Sequence, residues 1–187
     1  MKKVRCKWAN HSTLMKKYHD EEWGIPQHDD QKLFEMLTLE GAQAGLSWST
    51  ILSRRDGYRR AFKDFNVNLI SNFNNEDFER LMKNKSIIRN QLKIKSTISN
   101  ANAFIGVQKE FYSFDNYIWS FTNKNIIVNN YKKLNEVPAE TTLSNQISKD
   151  LKKRGFTFVG PTIIYAYMQS IGLVNDHLEV CDFKFKN

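Results

Sequence analysis

Proline and glycine are scarce, three and eight residues in 187, and they never cluster. With no Pro/Gly-rich linker, internal repeat or low-complexity run, the chain is not a string of modules on flexible spacers. It also lacks an apolar run of the roughly 20 residues that span a bilayer as a helix, and no signal-peptide pattern follows Met1-Lys2-Lys3. No membrane partner and a cytoplasmic location are therefore expected. Cysteine is limited to Cys6 and Cys181, at opposite ends of the sequence. Two cysteines cannot make a disulfide framework, and a bridge between them is not expected in a reducing compartment. Two-residue alternation persists nowhere, which leaves helices as the main element. Acidic residues are the minority: 20 Asp+Glu face 28 Lys+Arg, for a net charge of +8. A basic balance of that size suits a polyanionic partner, most simply nucleic acid.

What is present suffices for a packed core. Hydrophobic residues make up 41% of the chain and aromatics 13%, which excludes a disordered composition. The length suits one compact helical domain over 1–187, or two helical lobes with a pocket between them, as a monomer. The expected fold class is all-α.

The chain is organised around Leu39-Glu40-Gly41-Ala42-Gln43-Ala44-Gly45-Leu46-Ser47-Trp48. Leu33, Leu37 and Glu40 share one helical face, so Glu40 continues an apolar stripe. A carboxylate there is costly unless paired, because desolvation disfavours its charge. Small residues follow it, and then the indole of Trp48. Together they read either as a pocket floor for a flat, electron-poor ligand or as a packed helix–turn–helix with a satisfied core Glu.

Before this stretch, residues 1–30 read as an irregular arm holding Cys6, Trp8, Tyr18, His19 and Trp23, packed across the rest or walling a pocket. Asp29 or Asp30 is placed to cap the helix carrying Leu33, and Ser47 the next one. That helix turns Arg54, Arg59 and Arg60 to one face, usually a solvated one. Downstream, Asn75 is expected to cap a short helix with Phe78, Leu81 and Met82. A longer helix runs through Ile87, Ile88, Ile94, Ile98 and Ile105, with lysines crowding its start. Ser113 caps a helix with Phe114 and Ile118, and 123–140 reads as a polar connection with little core. Ile147 and Leu151 mark a helix ending at Lys152-Lys153-Arg154, with Gly155 just beyond. Phe156 to Gly160 then form a short apolar hairpin, and Pro161 opens the next helix. Backbone N–H groups between Gly155 and Gly160, flanked by Lys153 and Arg154, suit a DNA phosphate as a helix-hairpin-helix; an ordinary αα-hairpin is the alternative.

Cys6 and His19 lie near one end of the chain, and His177 and Cys181, four apart as on one helical turn, near the other. Two Cys and two His make the ligand set of a closed, tetrahedral structural zinc site; each Cys could equally be a small buried hydrophobe. Four protein ligands would leave no open position for activating water.

Four segments resemble the bacterial 3-methyladenine DNA glycosylase I family of the helix-hairpin-helix superfamily: Tyr18-His19-Asp20-Glu21-Glu22-Trp23-Gly24, Leu39 to Trp48, Gly155 to Gly160, and Gly172-Leu173-Val174-Asn175-Asp176-His177 with Cys181. The resemblance runs in order along nearly the whole chain. It implies a helical domain whose ends meet on a zinc held by Cys6, His19, His177 and Cys181. It also implies a base pocket of Glu40, Tyr18 and Trp48 with Trp8 and Trp23 around it. The implied activity is monofunctional hydrolysis of the N-glycosidic bond of 3-methyladenine in alkylated double-stranded DNA, which releases the base and leaves an abasic site. Met15 stands where the family usually has a second Tyr, and Asn175 where wider relatives place a catalytic Asp. The implied chemistry therefore leans on Glu40 and on the positive charge of the methylated purine. A zinc-stapled DNA-binding module without chemistry is the rival reading, separated from it by release of free base.

Overall fold

The protein, seen as a computed structural model, is described over residues 3–184. Its described part is mostly helical: α1 Thr13–Glu21, α2 Asp30–Gln43, α3 Trp48–Ala61, α4 Val67–Ile70, α5 Asn75–Lys83, α6 Gln91–Phe111, α7 Phe114–Ser120, α8 Thr142–Lys153 and α9 Pro161–Ser170. Two short strands, β1 Ile127–Val128 and β2 Val174–Asn175, pair in parallel. No strand was expected, and a two-residue ladder is too short to leave an alternation in the sequence. None of the described helices is long and apolar enough to cross a membrane.

The middle of the molecule is α2. Every residue from Leu33 to Ala42 is buried, because α3, α6, α7 and α9 all pack against it. A helix covered on all sides shows no polar face, so its polar residues need individual explanations. It starts on Asp29, whose carboxylate accepts from the Lys32 N–H at 2.9 Å. Asp30 is used elsewhere and accepts from the N–H groups of Phe114 and Asp115 at the start of α7.

Several element boundaries differ from expectation. Residues 3–29 are irregular only in part: Ser12 caps α1, which carries Tyr18 and His19 on its buried side. The cap of α5 is Asn74, with Asp77 completing a capping box one residue earlier than expected. Ile87 and Ile88 precede α6, which begins after the cap Asn90. Between α8 and α9, Gly155 takes φ +91° and ends the first helix, while Phe156 and Val159 turn into the core. Asn100 of α6 holds this hairpin from the side, donating to the Thr157 carbonyl at 2.9 Å and accepting from its N–H at 2.8 Å. Space is tight at Gly41, where a Cβ would lie 3.3 Å from the Cβ of Phe158. The hairpin thus packs directly on the end of α2.

Candidate active site

Two glutamates lie on the buried part of α2, and they differ in their partners. Glu35 accepts from Arg55 Nε at 2.7 Å and from Arg59 Nε at 2.8 Å, so its charge is answered within the fold. Arg55 also pairs with Glu22, which makes it a buried bridge and Arg59 more than a solvated cation. Glu40 is 4% exposed and, among the described residues, pairs with no cation. Burial pushes its carboxyl up to about 8, and the Ser170 hydroxyl offsets this only in part. Near neutral pH the empty site therefore holds Glu40 mostly protonated, ready to ionise if a cation arrives.

Glu40 opens onto a cavity of about 370 Å³ walled by Trp8, Tyr18, Trp23 and Trp48. Trp48, the first residue of α3, tilts over Tyr18 with ring centroids 5.2 Å apart. Its indole N–H is buried without a hydrogen-bond partner. Trp8 meets Trp23 edge to face at 5.0 Å. Met15 lines the cavity too.

Part of the pocket escaped the sequence reading. Leu134, Val137, Pro138 and Ala139 close one side, so the polar connection 123–140 serves as a wall as well as a link. Tyr165 and Gln169 of α9 close another, and both donate to Asp176, at 2.5 and 2.7 Å. Nothing in the sequence singled out Tyr165, whose hydroxyl partner lies eleven residues on, beyond any local pattern. Gly41, Ala42 and Ala44 do not line the cavity. At Gly41 the small size lets Phe158 of the hairpin approach α2 instead of clearing space for a ligand. Asn175 is buried and engaged: its amide donates to the Lys184 carbonyl, and its oxygen accepts from the His177 N–H at 3.2 Å.

Beneath Trp8 and Trp23 the two ends of the chain converge. Cys6, His19, His177 and Cys181 are all buried, with one ligand atom of each within 4.8 Å of the others. His177 and Cys181 do not share a helical turn; they follow β2 in extended and turn backbone, and Cys181 N–H donates to the Leu178 carbonyl at 2.8 Å. Cys181 Sγ lies 3.3 Å from His177 Nδ1 and 3.5 Å from His19 Nε2, and Cys6 Sγ lies 3.9 Å from His177 Nδ1. A tetrahedral zinc with ordinary bond lengths would set such edges at about 3.3–3.8 Å. The outer nitrogens are occupied as a metal requires. His19 Nδ1 pairs with Asp20 at 2.8 Å, which Arg5 fixes in turn, and His177 Nε2 donates to the Trp23 carbonyl at 2.9 Å. One thiol is already set up as a thiolate: the Cys6 hydrogen bond, then those of His177 and His19, draw Cys181 far below its ordinary value. The donor set fits a closed four-ligand cation site.

The candidate backbone contacts divide. Lys153 is exposed on the last turn of α8. Arg154 faces inward, to Asp150 at 2.7 Å and Glu110 at 2.6 Å, with its guanidinium over the rings of Phe111 and Tyr117. A Cβ at Gly155 or Gly160 would meet nothing within 4 Å, so the hairpin is open to approach.

These features define a helical protein with an aromatic pocket floored by a buried acid. More narrowly, the chain belongs to the methyladenine glycosylase family, which it matches over residues 8–185. It is 46% identical over 181 residues to the DNA-3-methyladenine glycosylase of Haemophilus influenzae, covering 97% of this chain and 98% of that protein. DNA-3-methyladenine glycosylase 1 of Escherichia coli is also 46% identical, over 177 residues and 95% of each chain. A solved structure of a variant 3-methyladenine DNA glycosylase I in complex with 3-methyladenine superposes with a TM-score of 0.94 at 31% identity, covering 98% of both chains.

Proposed function

We propose that this protein hydrolyses the N-glycosidic bond of 3-methyladenine in alkylated double-stranded DNA, releasing the base and leaving an abasic site. The observation that carries the reading is Glu40, a buried carboxyl without a cation in a fold that pairs its neighbour Glu35 twice over. Adenine methylated at N3 within DNA bears a positive charge and is already a good leaving group. The pocket therefore needs to prefer a cationic purine over a neutral one more than it needs a strong acid. Glu40 supplies the complementary charge and accepts hydrogen bonds from the purine edge. Trp48 and Tyr18 supply stacking and cation–π attraction. The lesion first leaves the base stack, which costs less for a damaged base than for a sound pair. Water then attacks the sugar carbon as the bond breaks, with oxocarbenium character at the sugar.

Two further assignments accompany this reading. The α8–α9 hairpin acts as a helix-hairpin-helix, with Lys153 and the backbone around Gly155 and Gly160 on a phosphate and Arg154 bracing the turn from behind. Zinc is held by Cys6, His19, His177 and Cys181 as a structural cofactor. It supplies cross-linking of the chain ends and no activated water. None of the residues lining the cavity is a lysine, so the enzyme is a monofunctional hydrolase that forms no Schiff base. The test is release of free 3-methyladenine from methylated duplex with the strand left intact at the abasic site. Duplex binding without base release would leave only the zinc-stapled DNA-binding module.

A further inference from the structure

We propose that Arg54, Arg60, Lys83, Lys85 and Arg89 form a second grip on the DNA backbone, separate from the hairpin, for the duplex beside the extracted base. The inference rests on reading the chain as a DNA glycosylase. Four of the five side chains are exposed and Arg54 half-buried, and among the described residues none forms an ion pair. Arg54 and Arg60 line a surface depression whose one carboxylate, Asp56, is turned to Arg59 at 3.4 Å. The cations sit on α3 and on the stretch from Lys83, the last residue of α5, to Arg89 just before α6, and the two are locked together. Arg54 donates to the Lys85 carbonyl at 2.7 Å, and the Ile88 N–H donates to the Tyr58 hydroxyl at 3.2 Å. At Gly57 even a Cβ would lie 2.4 Å from the Ser86 carbonyl oxygen, so the two backbones touch. Asn84 orders the turn by accepting from the Ser86 N–H at 2.9 Å. The charges are therefore preorganised on a rigid base, which suits a regularly spaced polyanion.

The position of the patch supports the assignment. Its α3 residues lie six and twelve positions beyond Trp48, about 9 and 18 Å along the helix axis, or roughly three to five base steps of a duplex. Its other segment leads into α6, where Lys93 donates to the carbonyls of Ala42 and Ala44 at 2.7 and 2.6 Å. The patch is thus joined by both of its elements to the turn that carries the pocket mouth. The hairpin adjoins the same end of α2 through Phe158 and Gly41. A duplex spanning both would place the flipped nucleotide between two phosphate contacts.

The experiment uses the full chain with Arg60→Gln, Lys85→Gln and Arg89→Gln combined, and undamaged duplex as the probe. Three lost phosphate contacts should flatten the dependence of log K on log salt by about two to three units, and affinity at low salt should fall at least tenfold. Binding of free 3-methyladenine should be unchanged, which also shows the variant folded. A control with Lys109→Gln, Lys124→Gln and Lys132→Gln removes equal charge elsewhere and should change the slope by less than one unit. A parental slope in the first variant, or equal effects in the two, overturns the proposal. Failure of the parent to release 3-methyladenine would instead count against the functional reading, and the slope on undamaged DNA would remain interpretable.

Discussion

Glu40 and Glu35 stand five residues apart on one buried helix, one answered by two guanidinium groups and the other by a hydroxyl. The difference has measurable consequences for stability. In the unfolded chain the Glu40 carboxyl titrates near its ordinary value, whereas in the folded protein it is raised to about 8. Its contribution is fully present below the unfolded value and is lost as pH rises through about 8, because folding must then bury the charge. Glu40→Gln removes that penalty. The variant should match the parent near pH 4 and exceed it above pH 9 by on the order of 5 kcal/mol in urea titrations, the gap opening as pH rises from the ordinary carboxyl range to about 8. Activity should follow the opposite course. If the carboxylate binds the cationic lesion, kcat/KM of the parent falls about tenfold per pH unit below about 8 and levels off above it. Glu40→Gln should abolish that slope and weaken free 3-methyladenine by about 1.5–3 kcal/mol. A flat parental profile from pH 6 to 8 would show that Glu40 is a core residue.

At the scale of elements, the hairpin region divides its basic residues between surface and support. Lys153→Gln should flatten the salt dependence of duplex binding by about 0.9. Arg154→Gln should leave that slope alone and lower stability, because Asp150 and Glu110 lose their shared partner. Equal slopes for Lys153→Gln and the parent would move the phosphate contact off this turn. Beyond α9, Gly172 takes φ +70°, and a Cβ there would lie 2.2 Å from the Ile25 backbone carbon. Gly172→Ala should cost about 3 kcal/mol or more by denaturant unfolding, through both backbone strain and separation of the 24–27 segment from α9. The helices were legible where an Asx or Ser cap met a periodic apolar face, as at Asp29 and Ser113. They were illegible where long-range contacts decided: Ile87 and Ile88 look like a first helical turn, but the Ile88 N–H is held by the Tyr58 hydroxyl of α3. Leu134 to Ala139 wall the pocket in a stretch whose polar composition advertised a linker. Glu40, Tyr18 and Trp48 could be paired on resemblance, yet nothing local revealed Tyr165 and Gln169 converging on Asp176.

At the scale of the whole molecule the question is what holds the two ends together over the pocket. Val4 and Asp182 exchange hydrogen bonds, Val4 N–H to the Asp182 carboxylate at 2.7 Å and Asp182 N–H to the Val4 carbonyl at 3.0 Å. Those bonds are exposed and close a loop of most of the chain, so they are weak compared with a four-coordinate metal. The aromatic wall depends on the same junction: His19 stacks on Trp23 at 6.1 Å, and Trp23 meets His177 at 4.6 Å. Purified protein in reducing buffer should therefore contain about one equivalent of zinc. Cys181→Ala should lose most of it, with a loss on the order of 4 kcal/mol, or about 8–16 °C in Tm. Because Trp8 packs on His19 and Trp23 on His19 and His177, the same variant should bind free 3-methyladenine more weakly. Its salt-dependent affinity for undamaged duplex, which the proposed phosphate contacts place away from this junction, should stay close to parental. Cys6→Ala should reproduce the pattern from the other end of the chain, which separates a shared metal from local damage at Cys181. Protein free of zinc, or two alanine variants as stable as the parent, would leave the four residues as a packed core of thiols and imidazoles without a metal.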